Sequence, residues 1–372
     1  MMAAPLRICI VSPNRNAWSE TFIANHIAHL RGVELTLTDG HLPKRDIEGE
    51  PLLAPTLVKR VVQRVRRADP TEMLRGTLVR LLKKHRIQVV LAEYGPTGEA
   101  MLDVCVRAGV PLVVHFHGID AFHVKLLKEN AGYRRIFQQA MAIVVVSREM
   151  EQQLLDLGCP RGKLHYNCYG IEVDRFLPSR PDLAPKHFLS VGRFVDKKAP
   201  HLTLLAFHKA WQRDPDLRLT MAGQGPLWES TRQLAQAEGL SDVVHFPGVI
   251  TSDQVAEHMH RVRAFVQHSV VTADNDHEGT PLSILEAMAC GLPIIATRHA
   301  GIPDVVGHGV EGLLCEERDI HTMAEHYNQL ANDPGSAQKM GAAGRQRVEH
   351  DHRLEERLTA LEGILREAVL LP

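Results

Sequence analysis

Short, almost wholly apolar runs alternate along the chain with longer stretches of helical period. The first runs are RICIVS (7–12), VELTL (33–37), QVVLA (88–92), PLVVHF (111–116) and AIVVVS (142–147). A second series follows: HFLSVG (187–192), LRLTMAG (217–223), VVHFPG (243–248), AFVQHS (264–269) and PIIAT (293–297). Several are rich in β-branched residues and lack polar alternation, as strands buried on both faces of a parallel sheet should. Strand–helix–strand repetition at this spacing predicts a doubly wound α/β architecture. The series restarts once, after NCYGIEVDRFLPSRPDLAPK (167–186), a segment rich in Pro, Asp and Arg that reads as the link between two Rossmann-like halves. The expected division is 1–180, 181–350 and a terminal segment 351–372, whose helix RLEERLTALEGILREAVLL (353–371) packs back on the first half. Ligands of such folds bind beyond the carboxyl ends of the strands, and with two halves the crevice between them is the expected site.

Composition narrows the function classes. The 372 residues suffice for two cores, and a net charge of −1 provides no field that would draw the chain to nucleic acid. Six scattered cysteines (Cys9, Cys105, Cys159, Cys168, Cys290 and Cys315) form no Cys-x-x-Cys, which argues against a zinc site or disulfide framework and fits a reducing cytosol. The opening MMAAPLRICIVSP lacks the apolar length of a secretion signal, and no run approaches a transmembrane span. A cytoplasmic protein is expected, or one resting on the cytoplasmic face of a membrane. TLVKRVVQRVRR (56–67) places Leu57, Val58, Val61, Val62 and Val65 on one helical face, with its lysine and arginines largely elsewhere. That pattern is compatible with peripheral contact with anionic lipid and with ordinary surface packing.

The most informative stretch is NDHEGTPLSILEAMACGLPIIAT (275–297), with Glu278 and Glu286 eight residues apart. On one continuous helix the two carboxylates would stand about 12 Å apart and about 80° out of line, which suits neither a dyad nor a metal site. Gly279 and Pro281 make that helix improbable. Thr280 is a good N-cap and Pro281 fits the first helical position, so the helix is expected from Leu282 to Cys290, ended by Gly291. Glu278 then lies in the preceding loop and Glu286 on the second turn. The N–H groups of Leu282 and Ser283 stand open at the positive end of the helix, where a phosphate or pyrophosphate is the natural guest. A nucleotide sugar has the matching layout of ribose, diphosphate and sugar. From spacing alone, two solvated surface acids fit equally well.

At this point the chain resembles the family-four glycosyltransferases of the GT-B fold, the retaining group with a Glu-x7-Glu motif. Six segments carry the resemblance in order: SETFIANHIAHL (19–30), VPLVVHFHGIDAF (110–122), IVVVSREMEQQLLDLGCPRGKLHYNCYGIEVDRFLP (143–178), SVGRFVDKKAP (190–200), MAGQGPLWESTRQLAQAEGLSDVVHFPG (221–248) and EGTPLSILEAMACGLPIIATRHAGIPDVV (278–306). Bacterial exopolysaccharide and colanic-acid-type enzymes are particularly similar. The resemblance implies two Rossmann-like doubly wound domains facing across a cleft, with acceptor bound by the first and nucleotide-sugar donor by the second. It gives Arg193 and Lys198 to the donor diphosphate, with Lys197 adjacent. Glu286 goes to the ribose, Glu278 to the donor sugar, and Leu282 and Ser283 to the phosphate through their backbone; Gly279 permits close approach of the backbone to the ligand, and Thr280 beside it is a further substrate-binding candidate. His117 goes to the reaction centre, with Asp120 and His115 as further candidates on the same loop. The implied reaction moves a sugar to a glycan or lipid-linked acceptor with retention, by front-face attack that needs no metal, no cofactor and no obligatory protein base.

Two departures bear on the acceptor side. SPNRNAWSETF lacks the glycine pair that many members carry after the first strand, which leaves Ser19 and Glu20 to shape acceptor binding. GIPD has Asp304 where glutamate is expected. Rival readings have weaker support. Asp274-Asn275-Asp276 superficially resembles a metal-binding Asp-x-Asp but lies late in a two-Rossmann chain. GQGPLW (223–228) has two glycines of a dinucleotide fingerprint but Trp228 at the third position. A GT-B epimerase or phosphorylase, or a non-catalytic nucleotide-sugar-binding membrane scaffold, remains the alternative.

Overall fold

The computed structural model describes residues 5–15, 20–53 and 69–370. Ser19 and the basic helix predicted at 56–67 lie outside them. The chain forms two compact units. The first holds the chain up to Val146, then Met150–Asn167, and resumes from Leu358. The second holds Ser147–Glu149 and Cys168–Arg357.

The first unit is built on β1 (Ile8–Val11), β2 (Val33–Thr38), β3 (Arg45–Asp46), β4 (Val89–Glu93), β5 (Leu112–His115), β6 (Ala142–Val145) and β7 (Leu164–Tyr166), in the order β3-β2-β1-β4-β5-β6-β7. Every neighbouring pair is parallel except β2 with β3. The second unit is built on β8 (His187–Val191), β9 (Arg218–Ala222), β10 (Val244–Gly248), β11 (Ala264–Gln267), β12 (Ile294–Thr297) and β13 (Gly312–Cys315), all parallel, in the order β10-β9-β8-β11-β12-β13. Both are Rossmann-like. The direction of winding reverses between β1 and β4 in the first sheet and between β8 and β11 in the second, and such switch points leave a crevice beyond the strand ends.

The apolar runs became strands because both faces are covered. Val89 through Ala92 and Phe265 with Val266 are inaccessible to solvent. In the second unit Tyr327 sets its ring edge-on to Phe188, centroids 4.7 Å apart, and packs on Phe207. All ten predicted strands are present. The three that were not anticipated, β3, β7 and β13, are short edge strands, and their two to four residues are too few to show a period. In the last helix, Leu354–Leu370, the residues from Leu358 onward belong to the first unit, where Glu362 accepts from Arg31 Nη2 at 2.6 Å. Among the described residues no helix is long and apolar enough to cross a membrane.

Candidate active site

At the switch point of the second sheet the chain leaves β8 through Gly192-Arg193 and β11 through His268-Ser269, both beyond the same end of the sheet. The turns behind them stack closely. Gly192 N–H donates to Ala222 O (3.0 Å) and Gly223 N–H to Gly248 O (2.7 Å). Gly223 adopts φ +134°, and a Cβ there would stand 1.8 Å from the Gly192 carbonyl oxygen, so only glycine fits.

Arg193, Lys198 and Gln267 line one cavity with Ser190, Gly192 and Phe194. Lys198 Nζ lies 3.3 Å from Glu278 Oε1. Lys197 Nζ donates to Asp276 Oδ1 and to His277 O, each at 3.1 Å, and Val270 N–H donates to Lys197 O at 2.9 Å. The basic loop after β8 and the acidic loop after β11 are thus laced together along their length. Asp276, from the Asp-Asn-Asp stretch, is engaged by Lys197.

Glu278 is nearly buried. Burial pushes its carboxyl up, but the ammonium groups of Lys198 and Lys197 outweigh it and hold it at about 2. Burial acts on Lys198 in the opposite sense and lowers it, against the pull of Glu278. Two ammonium groups face one carboxylate, so the carboxylate is firmly ionised. Its backbone is fixed as well: Glu278 N–H donates to His299 Nε2 (3.1 Å), and His299 Nδ1 faces Glu317 Oε1 at 2.6 Å. Because Nε2 accepts, the neutral ring carries its proton on Nδ1 and donates it to Glu317.

The helix that follows runs from Leu282 to Ala289. Thr280 was expected to cap it, with Pro281 as first helical residue; the structure moves both by one. Pro281 (φ −74°, ψ 111°) is the N-cap, and no side chain caps the helix. The reason lies in the carbonyl of Pro281, which already accepts from Ile284 N–H (3.1 Å) and Leu285 N–H (3.4 Å) while its own ψ is extended. The consequence for the site is unchanged. Among the described residues the N–H groups of Leu282 and Ser283 have no acceptor. Ser283 Oγ donates to Gln267 Oε1 (3.2 Å), and Gln267 Nε2 to Ser269 Oγ (2.9 Å), tying the helix tip to the end of β11. Glu286, on the second turn, is half-buried and does not line the cavity shared by Arg193 and Lys198. Burial pushes its carboxyl up to about 7, against the pull of Arg175. Gly279 and Thr280 are buried, and a Cβ on Gly301 would stand 2.6 Å from the Gly279 carbonyl. Asp304 Oδ2 accepts from Arg148 N–H at 2.8 Å.

In the first unit His117 lies just past β5, near the switch point, its Nε2 2.8 Å from Glu93 Oε2. Asp120 is fully buried and its carboxylate accepts from the backbone N–H of His117 (2.9 Å), Gly118 (3.1 Å) and Gly95 (2.8 Å), so it clamps this loop. His115 is buried beside it, 3.5 Å from Glu93. Glu20 accepts from Asn14 Nδ2 (2.7 Å) and Tyr94 OH (2.9 Å), and lines a cavity of ≈ 190 Å³ with Ser12, Asn14, Ile23, Thr38 and Ile47. Sequence reasoning missed Glu93, His26, Gln267 and His299. The signal for Glu93 was present: a carboxylate closing the otherwise apolar run VVLAE.

Arg193, Lys198, the N–H groups of Leu282 and Ser283 and the carboxylate of Glu278 are gathered at the ends of β8 and β11, beside the switch point of the second sheet. Two Rossmann-like units with parallel sheets define a GT-B-type architecture. Residues 23–175 match the family described as Glycosyltransferase Family 4, and residues 177–347 match Glycosyl transferases group 1. The putative colanic acid biosynthesis glycosyltransferase WcaL of Escherichia coli is 31% identical over 277 residues, which are 72% of this chain and 67% of the relative. The amylovoran biosynthesis glycosyltransferase AmsK of Erwinia amylovora is 30% identical over 290 residues, 76% of this chain and 71% of the relative. Among solved structures, the complex of HepE from Anabaena with UDP-glucose superposes with a TM-score of 0.77 over 96% of this chain and 99% of that one, at 16% identity, a likeness of fold. The chain belongs to the group 1, family 4 glycosyltransferases.

Proposed function

We propose that the protein transfers a hexose from a nucleotide-sugar donor to a glycan or lipid-linked acceptor in polysaccharide biosynthesis, with retention of configuration and without a metal. The Lys198–Glu278 pair beside Arg193, at the switch point of the second sheet, carries this reading. The donor diphosphate would lie against the Leu282 and Ser283 N–H groups with Arg193 and Lys198 neutralising its charge. Glu278 would turn from Lys198 to the sugar hydroxyls, and Glu286 would accept from the ribose. Stabilising the charge that develops on the leaving diphosphate, together with orientation of the sugar, supplies the acceleration.

The activities named for relatives support the substrate classes. Two concern colanic acid and amylovoran biosynthesis, and a relative from Mycolicibacterium smegmatis, 27% identical, is the GDP-mannose-dependent alpha-(1-6)-phosphatidylinositol monomannoside mannosyltransferase. Thermal unfolding in the presence of UDP-, GDP- and ADP-sugars tests the proposal. One donor class should raise the melting temperature and release its nucleotide once acceptor is added. No stabilisation by any of them would overturn it.

A further inference from the structure

A chain of hydrogen bonds in the second unit begins at the backbone of Glu278 and ends on the same loop. Glu278 N–H donates to His299 Nε2 at 3.1 Å, and His299 Nδ1 lies 2.6 Å from Glu317 Oε1. Glu317 Oε2 accepts from Val271 N–H (2.9 Å) and from Arg318 Nη1 (3.1 Å), and Arg318 Nη2 donates to Val271 O (2.6 Å). These residues follow three strands that are neighbours in the sheet: Val271 and Glu278 come after β11, His299 after β12, and Glu317 with Arg318 after β13. The loop 271–278 is thus pinned at both ends by the two strands beside it.

The partners dictate the state of the ring. A backbone N–H can only donate, so Nε2 accepts and carries no proton, which leaves the single proton of the neutral imidazole on Nδ1, facing Glu317. A proton placed on Nε2 would set two donors face to face and drive Glu278 off. The His299 side chain has no solvent exposure, so water does not replace either partner. Both oxygens of Glu317 face donors, so an amide in its place would turn its NH2 against one of them. The turn after His299 adds a steric stop, because Gly301 packs onto the carbonyl of Gly279, where a Cβ would approach to 2.6 Å. Neither His299 nor Glu317 lines the cavity shared by Arg193 and Lys198, so both act on the site through the Glu278 loop.

We infer that His299, held by Glu317, is a positioning residue that sets where the Glu278 carboxylate meets the donor sugar. This rests on the reading of Glu278 as the acid that binds that sugar. The pair then serves the sugar half of the donor, while Arg193, Lys198 and the helix tip serve the diphosphate half.

The test has two parts, both on the full chain. Long-range 15N–1H spectra of the histidine rings should show the His299 proton on Nδ1; a proton on Nε2 overturns the inference without any variant. Calorimetry then compares each nucleotide sugar with its free diphosphate: UDP-glucose with UDP, GDP-mannose with GDP and ADP-glucose with ADP. His299→Phe keeps a ring but neither accepts from Glu278 nor donates to Glu317. It should weaken binding of the nucleotide sugar about tenfold and leave the matching diphosphate within about twofold of the parent. His299→Gln, whose Oε1 can accept from the Glu278 N–H, should recover part of the loss. Glu317→Gln should show a smaller loss with the same selectivity, and it takes the place of His299→Phe if that variant fails to fold. Equal losses for sugar and diphosphate would mean that the ring only supports the fold. Unchanged sugar binding in both His299→Phe and Glu317→Gln would mean that the loop holds itself. Either result overturns the inference. A parent chain that binds no nucleotide sugar sinks the transferase reading and the sugar-positioning role together, whereas a proton on Nε2 beside normal donor binding sinks the positioning role alone.

Discussion

Lys198 Nζ and Glu278 Oε1 stand 3.3 Å apart, joining the loop after β8 to the loop after β11 by an ion pair largely withdrawn from water. A pair in that position is weak evidence for stability, because desolvation offsets the attraction. Breaking one half is a different matter. Lys198→Met leaves a carboxylate buried with Lys197 as its remaining ammonium, and should cost about 2–4 kcal/mol in urea unfolding. Lys198→Met combined with Glu278→Gln should recover part of that loss, with a coupling energy of about 1–3 kcal/mol. Strictly additive losses would show that the two residues do not interact in solution.

Much of this arrangement was legible in the chain. The apolar runs marked ten strands because parallel strands buried on both faces need no alternation to be recognised. Gly279 and Pro281 broke the apparent Glu278–Glu286 helix at the right place, although the cap fell on Pro281 rather than Thr280. What stayed hidden was the support. Nothing local in the sequence links His299 to the backbone of Glu278, 21 residues away, or Glu93 to His26, 67 residues away. Those contacts exist only once the parallel sheet has brought distant strand ends together. Glu286 shows the same limit: its spacing from the helix tip was readable, whereas burial and its nearness to Arg175 were not.

Arg193 tests function apart from stability. It is exposed and makes no ion pair among the described residues, although it lines the cavity with Lys198. Arg193→Ala should therefore change unfolding free energy by no more than about 0.5 kcal/mol. If Arg193 stabilises charge on a departing diphosphate, kcat/KM should fall about 10²-fold. Unaltered kinetics would move the diphosphate away from this loop.

Gly223 tests the scaffold beneath the site. An alanine there must relieve a 1.8 Å approach to the Gly192 carbonyl and adopt φ +134°. Gly239→Ala is the control, since that glycine has φ +70° with nothing near its Cβ position. The control should cost about 1 kcal/mol by backbone conformation alone, and Gly223→Ala at least about 3 kcal/mol, with donor binding lost. Equal costs in the two variants would mean that the turns after β8 and β9 separate freely.

Glu286 makes stability depend on pH with an unusual sign. Its carboxyl titrates at about 7 in the folded chain against 4.5 for an ordinary glutamate. Between those values the folded protein holds a proton that the unfolded chain has released, so stability falls as pH rises through this window and levels off above it. Most carboxylates act in the opposite direction. Glu286→Gln removes the effect: the variant should match the parent near pH 4.5 and exceed it by about 1–2 kcal/mol at pH 8, a figure discounted because the side chain is only half-buried. Donor binding should follow from the same charge. A ribose hydroxyl that donates to Glu286 favours the ionised form, so binding near pH 6.5 should release a proton, and affinity should rise from pH 5.5 to 7.5. Calorimetry in buffers of different ionisation enthalpy counts that proton directly. Proton uptake instead of release would place the ribose elsewhere.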